Sequence, residues 1–436
     1  MSRIRFAAVL FLAALGCGKG AILPHTPTFT EDVEPLLQQN CNGCHVQGGI
    51  APFALDHYVK VRVHAAAILD NISKGVGGVP AHMPPWPPSE KGAPLKYSRS
   101  MSDADIATIR AWVESGMPLG PESAHQNLPP KLEQKIRSDM GIAMKVPYTP
   151  SLGLSDDYRC FVIDPHASEG SLITGYNIQP GERGQVHHVI LYEVFNEGDM
   201  IAQLNALDGA DGRPGYQCFG GPGVAIDGGG PSSLPPIRFV GAWAPGEGAV
   251  VLPAHTGIPL KPGARLLMQV HYNTLNGHKP DQTQIALQLD PPLGLVEALM
   301  VPITNDRFLV PAGESNLTST VDYLMPDYLP AATVYSTYPH MHLHGTKISF
   351  SVVKKGVETT LIDIPNWHFH WQGSYELEKP YVVDPGDTLR LSCTFDNSVA
   401  NQPWVNGVQL TPHDLSWGER TSDEMCLSFL YLTLKL

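Results

Sequence analysis

Residues 338–347 read YPHMHLHGTK, so that His340, His342 and His344 fall on every second position. Successive strand side chains point to opposite faces, and this spacing therefore puts three imidazoles on one face of a predicted strand. Two such rings can converge on a metal without straining the backbone. The plainer alternative is a polar surface face. Strand signals continue on both sides. HHVILYEV (187–194), ARLLMQVHYNT (264–274), TKISFSVVKK (346–355) and DTLRLSCTF (387–395) alternate or carry β-branched residues. Turn sequences such as PGERG (180–184), KPGA (261–264) and DPGD (384–387) separate such runs. Regular strands of this kind predict two all-β sandwich domains, 138–295 and 296–436, dividing near 291–299.

Three further donor groups lie in the β region. His187 and His188 are adjacent, so in a strand they face opposite ways; both can serve one metal only with a bulge or with different ring nitrogens. His271 sits in MQVHYNT, and Met425 precedes Cys426 in TSDEMCLSFLYL (421–432). A lone methionine in a strand is usually core. Joined to two imidazoles, however, a thioether suits copper, Cu(I) above all, rather than zinc or magnesium.

Residues 28–120 have a different pattern, and read as a small all-α domain. Phe29, Val33, Leu36 and Leu37 share a helical face ahead of CNGCH (41–45), while Ser102 and Asp105 resemble a capping box opening a helix with Ile106, Ile109 and Val113 inward. In CNGCH, Cys41 and Cys44 can add to the two vinyl groups of one haem, and His45 becomes an axial ligand. No second cysteine or histidine pair lies within this block to complete a zinc site. Met83, strapped between prolines in AHMPPWPP (81–88), is the expected sixth ligand, with His82 its rival; Met101 and Met117 read as packing residues. This resembles the small bacterial cytochrome c domains. A polar, Pro-containing linker, 121–137, follows.

With 436 residues the chain exceeds one core, and its 42 Gly and 40 Pro suit short strands and many turns. A net charge of −13 argues against nucleic acid or an anionic membrane surface as a partner. Arg3 and Arg5 precede an apolar run, 6–15, then Gly16 and Cys17. The pattern looks like a bacterial lipoprotein signal, 1–16, with a lipid on Cys17. The run is too short to span a bilayer, so the expectation is an exported envelope protein, lipid-anchored at a membrane surface. Cys160, Cys218, Cys393 and Cys426 remain, an even number in an oxidising compartment. Of three possible pairings, separate domains favour Cys160–Cys218 and Cys393–Cys426.

Taken in order, YRC, HHVILYEV, WAPGEGA, LMQVHYN, HMHLHG, PGDTLRLSCTF and SDEMC resemble the copper type II, ascorbate-dependent monooxygenases over roughly residues 140 to 436. The resemblance implies two jelly-roll-like domains, one copper on each, facing a solvent-filled cleft. His187, His188 and His271 would hold the electron-donating copper; His340, His342 and Met425 would hold the copper where O2 binds. It places His344 off the ligand set and leaves His368 and His370 structural or cavity-lining. At the positions where the peptide-hydroxylating members bind a substrate carboxylate, this chain has Tyr338, Leu427 and Phe429. Without an arginine fork, carboxylate recognition is lost and an apolar substrate is expected. The expected function is hydroxylation of a C–H bond in a small molecule by O2, with electrons arriving through the fused haem c from an external donor (ascorbate or a redox protein). The alternatives are a non-catalytic haem and copper electron-transfer or copper-handling protein, or a plain β scaffold.

Overall fold

The computed structural model describes residues 25–435 apart from 48, 50, 74–80, 131–133, 154–155, 168, 196–197, 219–221, 225–236, 245–246, 275–276, 370, 406–407 and 419–422. The expected signal 1–16, Cys17 and His370 therefore lie outside the described residues. No described helix is long and apolar enough to cross a membrane.

The described residues of the first block include a π turn and three helices. The π turn, Phe29–Val33, leads into helix Glu34–Asn40, followed by helices Tyr58–Ile72 and Asp103–Glu114. Ser102 caps the last of these by accepting the Asp105 N–H. Phe29, Val33, Leu37, Val61, Ile109 and Trp112 form its core, with Met101 buried among them and Met83 partly buried against them. The stretch after Pro121 folds back on the module: Gln38 bonds the backbone of Gln126 and Leu128, and His125 meets Glu34.

Among the described residues the β region forms nine-, five- and four-stranded sheets plus two short ribbons. The five-stranded sheet runs Tyr216–Gln217, Asp156–Ile163, Arg265–Asn273, Val186–Val194, Ile237–Trp243. It faces one half of the nine-stranded sheet over a core that includes Val189, Leu191, Met268, Val270 and Ile285. The four-stranded sheet, Leu317–Leu324, Thr388–Phe395, Gly345–Lys354, Val357–Ile364, closes the second sandwich over Val334, Phe350, Leu391 and Leu430. The long sheet belongs to both sandwiches, because Thr256–Leu260 pairs in parallel with Val296–Thr304. The two halves thus share hydrogen-bonded backbone as well as a boundary.

The cysteines pair as Cys160–Cys218 and Cys393–Cys426, each within one sandwich. Residues 86–96 of the first block leave the helices and run along the second sandwich. Trp86 meets Tyr375 edge-on, Leu95 bridges Leu377, and Lys96 pairs with Glu376 at 2.7 Å. This strap covers the outer edge of strand Tyr375–Val383, whose backbone groups an edge strand would otherwise leave to solvent.

Candidate metal centres

The first centre forms at one end of the five-stranded sheet. His188 and His271 are directly opposite each other on neighbouring strands, and the register shifts between Val186 and His188. That irregularity is the bulge two adjacent ligands require, and it lets His187 and His188 turn to the same side. One ligand atom from each of His187, His188 and His271 lies within 4.8 Å of the others. Nδ1 of His188 is 3.3 Å from that of His187 and 3.4 Å from that of His271. The far nitrogen of His271 donates to Asp156 at 2.8 Å, which fixes its tautomer and aims Nδ1 inward. Tyr158 stacks on the same ring at 4.0 Å. Burial and the neighbouring imidazoles hold the His188 pKa well below its usual value, so it stays a neutral donor.

The second centre departs from its sequence reading. Strand Ala332–His340 stops at His340; His342 and His344 lie in the turn before strand Gly345–Lys354. The three imidazoles therefore do not share a strand face. The physical reason is Glu424, fully buried, whose carboxylate accepts the backbone N–H groups of His342 at 3.1 Å, His344 at 2.6 Å and Met425 at 3.3 Å. Those N–H groups have a side-chain partner, so no strand ladder forms there. Glu424 also draws the His344 ring aside, with Nδ1 3.4 Å from its Oε1. His344 is thus a neighbour of the centre, held away from its ligand set.

His340 and His342 remain together, ring centroids 5.1 Å apart and perpendicular. Each donates from Nδ1, His340 to Gln372 Oε1 at 2.6 Å and His342 to the Asp423 carbonyl at 3.0 Å, so on each ring Nε2 carries the lone pair a metal would take. Met425 is buried and tied to the His342 turn through Glu424, while the Cys393–Cys426 bond fixes the next residue. Asp156, Gln372 and Glu424 were missed in the sequence, although Glu424 lay inside the quoted SDEMC. Nothing local marks them, because each acts across a long separation.

Tyr338 and Phe429 are cross-strand partners, as are His340 and Leu427. Phe429 stacks on Phe239 at 4.6 Å. Beside them is a cavity lined by Tyr176, Phe239, Met300, Ser336, Tyr338 and Tyr431. Phe369 sits between the centres, stacked on His187 at 5.5 Å and perpendicular to His342 at 6.0 Å. A side chain bridges the two sets, where the resemblance implies a solvent-filled cleft. His368 is exposed and lies near Trp371.

In the helical module Cys41 and Cys44 are free thiols, both partly buried. His45 donates from Nδ1 to the Phe53 carbonyl at 3.0 Å, which leaves Nε2 available. Met83 donates its N–H to Asn71, and His82 is exposed. Burial raises the Cys44 pKa, and the Arg99 and Arg183 charges oppose that rise. Arg183 lies in the turn just before His187.

Comparison with known proteins agrees with this geometry in the β region. Residues 298–433 match the C-terminal domain of the copper type II ascorbate-dependent monooxygenases. The chain is also 24% identical over 270 residues to a tyramine beta-hydroxylase of Caenorhabditis briggsae, covering 58% of this chain and 40% of that protein. It is 25% identical over 277 residues to a dopamine beta-hydroxylase of Canis lupus familiaris, covering 58% and 39%. The Homo sapiens dopamine beta-hydroxylase matches at 25% over 273 residues, covering 56% and 40%. The chain thus spans about two-fifths of the length of these relatives.

Proposed function

We propose that this protein is a two-copper monooxygenase that hydroxylates a C–H bond of a small, largely apolar substrate, with electrons supplied through a covalently attached haem c. The observation that carries the reading is the convergence of His187, His188 and His271 from separate strands within 4.8 Å of one another, in a chain whose other half matches a copper monooxygenase domain.

The residues present fit the groups the reading needs. Three neutral imidazoles suit a copper that only exchanges electrons, and two imidazoles with a thioether suit one that reacts with O2. When bound, the copper held by His340, His342 and Met425 would supply O2 activation, and the copper held by His187, His188 and His271 the second electron. The chain's own part is orientation. Asp156, Gln372 and the Asp423 carbonyl fix the ligand tautomers, and Glu424 locks the His342 turn to the Met425 segment. Ser336, Tyr338 and His340 follow one another on alternate positions of one strand, and the first two line the small aromatic cavity. Phe239, Tyr338 and Phe429 offer ring surface and no cationic fork, which favours a ring-bearing substrate over a carboxylate. Relatives named for tyramine and dopamine agree with that class.

Two free thiols, and a histidine whose Nδ1 is already occupied by a carbonyl, suit a haem joined at Cys41 and Cys44 with His45 as axial ligand. Met83, partly buried on the same core, is the proposed sixth ligand. The exported, lipid-anchored envelope location read from Cys17 is part of the same proposal, since attachment of haem c and both disulfides belong to an oxidising compartment.

The deciding experiment counts copper and haem in purified protein and follows O2 consumption with ring-bearing amines and neutral arenes. Two coppers and one haem per chain are expected. Met425→Ala and His342→Ala should abolish substrate-dependent O2 uptake and leave the first copper bound. Full copper loading without such uptake for any substrate would favour electron transfer or copper handling instead.

A further inference from the structure

Residues 365–369 and 371–373 touch both histidine sets. Trp367 packs in the core of the second sandwich and donates from its indole N–H to the His342 carbonyl at 3.2 Å. Gln372 accepts from His340 Nδ1 and donates to the Phe369 carbonyl at 2.8 Å. Between these anchors Phe369 takes no part in a sandwich core; its ring lies nearly parallel to that of His187, at 19°, and at 90° to that of His342. His340 and His342 also lie close enough to His188 for their charges to act on it. An aromatic ring set against two imidazoles gives the contact a preferred geometry, which an aliphatic chain of similar volume would not.

We propose that Phe369 is a positioning residue that sets the approach of the two histidine clusters, with His187 of one sandwich on its face and His342 of the other beside it. The contact is independent of metal; what the approach is for rests on the two-copper reading. Phe369 adds a contact at the histidine clusters to those the sandwiches make through the shared sheet and the Phe239–Phe429 stack.

The test has a metal-free and a copper-loaded arm. In metal-free protein carrying labelled histidine, the ring current of Phe369 should shift the His187 ring protons upfield, and Phe369→Leu should remove that shift while Phe369→Tyr keeps it. In protein loaded with Cu(II) at both sites, pulsed dipolar spectroscopy should give one narrow copper–copper distance, retained by Phe369→Tyr and lengthened or broadened by Phe369→Leu and Phe369→Ala. An unchanged His187 shift in the leucine variant, or an unchanged distance distribution in both aliphatic variants, would overturn the proposal. Should copper fail to load twice, the two-copper reading falls and the His187 shift alone decides the contact.

Discussion

Glu193 is a carboxylate on a core-facing position. It lies in the HHVILYEV strand, in phase with buried Val189 and Leu191, and is fully buried itself. Its Oε1 accepts the Lys261 N–H at 2.9 Å. Arg238, Lys261 and Glu297 face it, and burial outweighs the two cations, raising its pKa to about 7 from 4.5. Between those values only the folded state holds the proton, so stability should fall as pH rises from 4.5 to 7 and level off above. The full effect is of the order of 3 kcal/mol at 1.36 kcal/mol per pKa unit. Glu193→Gln should flatten that slope in urea titrations between pH 4.5 and 8; an unaltered slope would reject the assignment. The proposed ligands behave differently. They could be nominated from the sequence, because histidine and methionine at such positions have few other reasons to cluster. Their partners Asp156, Gln372 and Glu424 could not, since a lone carboxylate or amide carries no local mark of its target.

The elements explain why the ligands meet. Alternation along HMHLHG implied one strand, but Glu424 takes the N–H groups a neighbouring strand would need, and the strand ends at His340. Conversely, the HisHis pair demanded a bulge and has one. The second centre also leans on the Cys393–Cys426 bond, which closes a 33-residue separation between strand Thr388–Phe395 and the residue after Met425. Replacing both cysteines with alanine should cost about 3–4 kcal/mol by the loop-entropy estimate. It should also loosen Met425, so the copper count is expected to fall from two toward one with the His187 site still filled. Loss of both coppers together would show that the bond supports the whole fold and not this centre.

At the scale of the whole molecule, the strap 86–96 joins the helical module to the second sandwich, and the Arg183 charge acts on Cys44. The proposed haem donor, held in this way, would have a high effective concentration, independent of encounter. Removing haem with Cys41→Ala and Cys44→Ala should therefore lower turnover by about tenfold or more with a protein donor, and much less with a small reductant such as ascorbate. Equal turnover of the two proteins with a protein donor would end the haem route. By itself the sequence determined the β region and the two disulfides and nominated the donor atoms, because periodicity, cysteine count and ligand chemistry are local properties. Only the tertiary structure decided that the sandwiches share one sheet, that His344 is drawn off by Glu424, and that Phe369 closes the gap between the clusters. Those outcomes depend on contacts between residues tens to hundreds of positions apart, and no local pattern records which of many polar or aromatic residues will make them.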